Sequence, residues 1–377
     1  MRNRIRVAVI GGGTQSAVGR AHFSALNMDG LFDVTSGFFS RDIEKNELSN
    51  GMWNARNLVN DLTGFDVLRH EFDVALILTP TPTHFEIINH FVQLKIPVIS
   101  EKSLVSSYTQ GKRICELNKD NIPIYVTFNY TGYPMVRELR AKVLQGTYGE
   151  IHTVHIEMLQ DSFGTTDSEG NPRIVQDWRT RDYEIPTVSL DLGVHVVNLF
   201  EFITGDQLQR VVGVETHAGL IANVVDNVHC LGISEKGIQS SLIFGKTFAG
   251  KKNGLRISLY GSRGAAHWFQ EMPNELYEAD IRGNTITLNY SSQGILEASK
   301  SRYMRFKVGH PIGFVEAFAN LYFDIFTHFT QVGGNSHFIF QPVNALSGLA
   351  TLSAIHESSK VSNWTTPIRE HLEGFKV

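Results

Sequence analysis

Cysteine is almost absent: Cys115 and Cys230 are the only two in 377 residues, far apart and outside any CxxC or Cys/His spacing. That excludes a disulfide framework, gives no sign of a metal site, and leaves two buried hydrophobes as the expectation. Long apolar runs are missing too. No segment approaches the roughly 18–20 uncharged residues that span a bilayer, so no membrane partner is expected. The basic start runs through a short apolar stretch into a glycine turn, which reads as a strand and not as an export signal, and a cytoplasmic protein is expected. Positive charge is not in excess, with 34 Lys and Arg against 38 Asp and Glu and a net charge of -4. Without a basic footprint nucleic acid is not an expected partner, and a small molecule is favoured.

What is present begins with a strand, a turn and a helix. Ile5, Val7, Ala8, Val9 and Ile10 make the β-branched run of a central parallel strand, and Gly11, Gly12 and Gly13 follow at once. A helix starting near Ala17 would aim its N-terminus at a phosphate. The dinucleotide fingerprint spaces its glycines G-x-G-x-x-G, whereas Gly11 and Gly13 are followed by Gly19, three residues late. A second strand over 32–39 ends at Ser40 and Arg41, where the adenosine ribose would lie. Ser and Arg there suit the 2′-phosphate of NADP, with a solvated surface arginine as the alternative.

Residues 53–69 read as an amphipathic helix before a buried strand over 72–78. That strand stops at Thr79 and Pro80, a rigid turn expected to line a cofactor cleft, and Thr83 is placed to cap the following helix through Phe85, Ile88, Phe91 and Leu94. The strand over 96–100 runs into Glu101 and Lys102. Either these form a surface ion pair, or Lys102 enters the cleft and stabilises an alkoxide. A helix over 106–118 and a strand over 122–128 complete the alternation of a parallel sheet.

After a helix over 131–145 the pattern changes to period two. Strands are predicted over 151–158, 208–218, 225–234, 237–244 and 254–260, as one broad antiparallel sheet. Between the first two, a helical reading of 189–200 puts Asp191 and His195 four apart on one face. His195 is a hydrogen-bonded core residue or a general base whose tautomer Asp191 could fix. Trp178 and Arg179 offer an aromatic platform and donors, or packing. Helices are expected over 315–322 and 342–361, with His310 worth testing just before the first.

Taken in order, these motifs resemble the glucose-fructose oxidoreductase, inositol dehydrogenase and rhizopine-catabolism (Gfo/Idh/MocA) family over nearly the whole chain. The carriers are the glycine turn with Gly19 and His22, Thr79-Pro80 with His84, Glu101-Lys102, Asn129-Tyr130, and Asp191 with His195. The triple glycine, Gly132-Tyr133-Pro134, Asp177-Trp178-Arg179, Gly309-His310-Pro311 and residues 316–320 are similar to its sugar-dehydrogenase branch. Two departures are Ser103, where the family commonly has proline, and residues 185–188, where glycines often precede the aspartate.

The resemblance implies an α/β Rossmann domain over 1–128 and an α+β domain over 129–377 with a large, mainly antiparallel open sheet that makes a homodimer or homotetramer. It implies NAD or NADP held by Gly11, Gly13, Gly19, Ser40, Arg41, Thr79, Pro80, His84, Glu101, Lys102 and Asn129. Lys102, Asp191 and His195 would be catalytic. The substrate, a sugar or cyclitol, would meet Lys102, Tyr130, Trp178, Arg179, Asp191, His195 and His310. No metal is required. The expected activity is oxidation of a secondary hydroxyl. The alternatives are a catalytically silent dinucleotide-binding regulator and a sugar–sugar oxidoreductase that keeps its cofactor.

Overall fold

The structure, a computed structural model, describes residues 4–331 and 337–368. The chain divides into two compact units, Met1–Gly132 with Phe314–Ala345, and Tyr133–Gly313 with Leu346–Val377. A single cut after residue 128 is therefore too simple, because a late segment rejoins the first unit.

In the first unit, β1 (Ile5–Gly11), β2 (Phe32–Phe38), β3 (Asn57–Leu58), β4 (Val74–Leu78), β5 (Val98–Glu101) and β6 (Ile124–Thr127) form one sheet. Its order is β3-β2-β1-β4-β5-β6, and every pair is parallel. Val7, Ala8 and Val9 of the central β1 are fully buried, as expected of a strand covered on both faces. The helices are α1 (Ala17–Met28), α2 (Ile43–Trp53), α3 (Gly64–Val67), α4 (His84–Gln93) and α5 (Tyr108–Leu117). Ser16, Asp42 and Ser107 cap α1, α2 and α5 through their side-chain oxygens, each contributing about 1 kcal/mol. Strand order reverses between β1 and β4, which is where an open α/β sheet binds its ligand.

Two local expectations fail here. Residues 53–69 are not one helix: α2 ends at Trp53, Asn54 turns left-handed at φ 54°, and β3 and α3 follow. The Trp53 side chain is 2% exposed and belongs to the core, so the aromatic that reads as a helix start is a helix end. Thr83 makes no side-chain cap to α4. Its hydroxyl instead lies 2.8 Å from both Thr79 Oγ1 and the Pro80 carbonyl, closing a single 3₁₀ turn.

The second unit contains α6 (Pro134–Leu144) and α7 (Val194–Thr204), with β7 (Ile151–Leu159), β8 (Leu208–Thr216), β9 (Asn227–Ser234), β10 (Gln239–Gly245), β11 (Gly254–Gly261), β12 (Gly264–Phe269), β13 (Glu275–Asp280) and β14 (Thr285–Asn289). The sheet runs β14-β13-β12-β11-β7-β10-β9-β8. It is antiparallel except at its centre, where β7 pairs parallel to β10 and antiparallel to β11. Along β9, Val228 and Cys230 point inward and His229 and Leu231 outward, the alternation of a sheet with one covered face. Both cysteines are free and buried.

Two late helices complete the chain, α8 (Phe314–Thr330) and α9 (Pro342–Val361). Phe318, Ala319, Tyr322, Ile325 and Phe326 of α8 join Ile5, Val7, Ala21, Ala25 and Phe32 in one core, which is why this helix belongs to the first unit.

Candidate active site

The first unit carries the features of a dinucleotide site. Beyond β1 the turn bends through Gly11 at φ +82° and Gly12 at φ +69°, values that favour glycine. The late Gly19 has a physical reason. The turn contains extra residues before α1 begins, and Gly19 is the third residue of that helix. A Cβ on it would lie 2.3 Å from the Gly12 carbonyl oxygen, so Gly19 supplies the close helix–turn approach that the third glycine of the compact fingerprint supplies. α2 braces the same turn: Trp53 Nε1 donates to Gly12 O at 2.8 Å, and Ser49 Oγ accepts from Thr14 N at 3.2 Å.

At the end of β2, Ser40 is half-buried and its hydroxyl accepts from Asp42 N at 3.1 Å, while Arg41 is exposed. Asn129 is 3% exposed, and its Nδ2 is buried without a hydrogen-bond partner, a donor that a bound dinucleotide's oxygens can take. The glycine turn, the capped helix start and this donor fit a dinucleotide.

His84 ties two neighbouring turns together. Its ring is fully buried, with Nε2 2.8 Å from the Thr79 carbonyl and Nδ1 2.8 Å from that of Ser103. Burial pushes its pKa below the ordinary 6.5, against the pull of these carbonyls and of Glu101. Pro80 is exposed on the first of those turns.

Lys102 follows the last residue of β5 and is half-buried; the Lys102–Ser103 peptide is cis. Beside it, Glu101 is the end of a buried chain of hydrogen bonds. Tyr322 Oη lies 2.7 Å from His22 Nδ1, His22 Nε2 lies 3.3 Å from Glu101 Oε1, and Thr127 Oγ1 donates to that oxygen at 2.5 Å. In this direction Nδ1 accepts from the phenol and Nε2–H donates to the carboxylate. Burial, with Glu101 adding to it, holds the Tyr322 phenol well above its usual range, so it remains a donor. Glu101 is thus braced inside the protein. Tyr130 is 5% exposed, its ring 6.4 Å from that of Phe314.

The second unit carries the other candidates. Ser189–Gly193 is a π-helical turn leading into α7, a local feature frequent at functional sites. It presents Asp191, 7% exposed, and is followed by His195, 3% exposed. The Asp191 carboxylate accepts a two-pronged bond from Arg179, Nε to Oδ2 and Nη2 to Oδ1 at 3.1 Å each. Lys246 Nζ donates to Oδ2 at 2.6 Å. The Arg179 guanidinium also stacks 4.6 Å from the Trp178 ring, so Trp178, Arg179 and Asp191 do come together. His310 is exposed, and its carbonyl accepts from Tyr290 Oη at 3.1 Å.

Known proteins place this geometry. Residues 5–128 match the model described as "Oxidoreductase family, NAD-binding Rossmann fold", and residues 136–267 match that of the GFO/IDH/MocA C-terminal domain. The chain belongs to the GFO/IDH/MocA oxidoreductase family. An uncharacterized oxidoreductase, YfiI of Bacillus subtilis (strain 168), is 29% identical over 332 residues, 84% of either chain. The structure of an oxidoreductase from Sinorhizobium meliloti superposes with a TM-score of 0.85 at 25% identity, covering 97% of this chain and 100% of that one. An inositol dehydrogenase homolog from Azotobacter vinelandii, complexed with NADH and myo-inositol, gives 0.85 at 22% identity, covering 97% and 98%. As a GFO/IDH/MocA oxidoreductase, this chain has an NAD-binding first unit. Lys246, Trp53 and Tyr322 are the residues that local sequence does not point to, since each acts on a partner distant along the chain.

Proposed function

We propose that this oxidoreductase oxidises a secondary hydroxyl of a sugar, cyclitol or sugar derivative. The observation that carries the reading is Lys102, which leaves the end of β5 in the NAD-binding unit beside a braced Glu101. Its ammonium stabilises the alkoxide of the reacting hydroxyl, while His195 takes the proton. Asp191 holds the donors of Arg179 and Lys246 in place at the substrate, and Tyr130, Trp178 and His310 complete its contacts. A dinucleotide held by the glycine turn and Asn129 would supply a nicotinamide as hydride acceptor. Substrate class is supported by two solved relatives, the inositol dehydrogenase homolog with NADH and myo-inositol and a levoglucosan dehydrogenase with NADH.

Gly11, Gly13, Gly19, Thr79, Pro80, His84, Glu101 and Asn129 form or brace the cofactor site, and Ser40 with Arg41 favours a 2′-phosphate, hence NADP over NAD. The outward sheet face exposes Val214 and Leu231 at 60 and 55%, which suits a homo-oligomer contact. No helix among the described residues is long and apolar enough to cross a membrane, and a cytoplasmic setting fits the two free thiols.

Lys102→Ala is the test. Losing one donor to a developing oxyanion lowers turnover by roughly 10²–10³, while the cofactor still binds in a titration. Turnover equal to wild type would remove Lys102 from the chemistry.

A further inference from the structure

α2 departs from the usual placement of side chains. A surface helix buries an apolar stripe and leaves its polar residues to water. Here Ile43 and Leu48 are 61% and 67% exposed, while Asn46 and Ser49 are 0% and 2% exposed. The buried residues of the helix are Asn46, Ser49 and Trp53, three and four positions apart on one face. A departure of this kind is tolerated where the polar groups have a function. Each of the three side chains bonds to a loop on the cofactor side of the sheet. Trp53 and Ser49 hold the glycine turn, at Gly12 O and Thr14 N. Asn46 holds the end of β2.

Asn46 Oδ1 accepts from Phe39 N at 2.8 Å and from Ser40 N at 3.3 Å, and its Nδ2 donates to Val59 O at 2.9 Å and to Asn60 Oδ1 at 3.4 Å. An asparagine amide has two donors and two acceptor lone pairs, and all four are occupied. Asn46 therefore acts through the backbone it fixes and not by touching a ligand. That backbone leads straight into Ser40 and the exposed Arg41, where the 2′ position of an adenosine ribose would lie. We propose that Asn46 is the positioning residue for cofactor choice, presetting the loop 39–41 for discrimination at the 2′ position, while Ser49 and Trp53 preset the turn that serves NAD and NADP alike. A loop that must be ordered on binding loses affinity by the cost of ordering it. At 39–41 that cost falls on the 2′ contacts alone, because the pyrophosphate is common to both cofactors. The inference rests on the reading of Ser40 and Arg41 as the 2′-phosphate site and adds the residue that makes this site selective.

The experiment is calorimetric titration of two matched pairs, NAD with NADP and AMP with adenosine 2′,5′-bisphosphate, into wild type, Asn46→Ala and Ser49→Ala. Asn46→Ala should change the ratio of affinities within each pair by roughly tenfold to a hundredfold, the worth of one hydrogen bond to a charged group. Ser49→Ala should weaken both members of a pair alike and leave the ratio where it was. A ratio that Asn46→Ala leaves intact, or that Ser49→Ala changes as much, makes Asn46 a structural residue only and overturns the inference. A wild type that does not favour the 2′-phosphate overturns the reading of Ser40 and Arg41 instead. The inference then stands if Asn46→Ala still shifts the ratio, and falls if it does not. Amide hydrogen exchange on cofactor-free wild type tests the same point without a variant, so a misfolded Asn46→Ala leaves the question decidable. The Phe39 and Ser40 N–H groups should exchange well below the rate of the Arg41 N–H before any cofactor is added. Exchange of all three at one fast rate means that the loop is not held in advance, and overturns the inference.

Discussion

Gly19 has little room for a side chain. An added Cβ would meet Gly12 O at 2.3 Å, Gly12 C at 2.7 Å and Gly12 Cα at 2.8 Å. All are backbone atoms, so no rotamer relieves the clash, and turn and helix must part by about 1 Å to restore ordinary contact. In Gly19→Ala that overpacking costs about 1–3 kcal/mol. The helix gains about 1 kcal/mol from alanine over glycine, so global stability falls by only about 0–2 kcal/mol. The cofactor should feel more. A 1 Å retreat of the turn breaks at least one hydrogen bond to a charged phosphate, worth about 1.5–3 kcal/mol, or roughly 10- to 150-fold in affinity. Titration of NAD and NADP into the purified variant measures this. Gly51→Ala is the control, because nothing lies within 4 Å of its Cβ position; it should stabilise α2 by up to about 1 kcal/mol. A Gly19→Ala protein that binds cofactor as tightly as wild type would refute the role given to the displaced glycine.

Tyr322→Phe keeps the ring and removes the hydroxyl that lies 2.7 Å from the fully buried His22 ring. The unsatisfied nitrogen should lower unfolding free energy by about 1–3 kcal/mol in urea titrations, and an unchanged midpoint would deny the buried chain behind Glu101. His84 gives a pH dependence. Its folded pKa lies below the ordinary 6.5 because of burial, so between those two values the unfolded chain holds more protons. Stability should therefore fall as pH drops below about 6.5, and His84→Gln should flatten that part of the urea-midpoint profile, although it costs stability at neutral pH. A variant that retains the full acid decline would shift the cause to other groups.

The parallel half was legible because its signals are local. A β-branched run, three glycines and a helix period identify β1, the turn and α1 without any knowledge of the rest. β12, β13 and β14 carry no such local signal, since segments such as Glu275–Asp280 are short, half-exposed and rich in charge, and they hold their place by pairing along the sheet. The helical period of α8 shows that a helix exists but not what it packs against, and only folding brings Tyr322 to His22, 300 residues away. Asp191 and His195 were visible as an i, i+4 pair, yet the partners of the carboxylate were not. Arg179 is 12 residues before it and Lys246 55 residues after, with no spacing rule to connect them. The π turn that carries Asp191 likewise has no local signature, because the same residues satisfy an α-helical period.

The most direct test of the central claim is whether purified protein reduces NAD or NADP when offered aldoses, uronates and cyclitols, followed by the absorbance of the reduced nicotinamide. Reduction with at least one of these compounds, preferring NADP as Ser40 and Arg41 imply, is the expected result. Tight cofactor binding with no reduction by any of them would contradict it, and would turn the same fold into a dinucleotide-sensing protein.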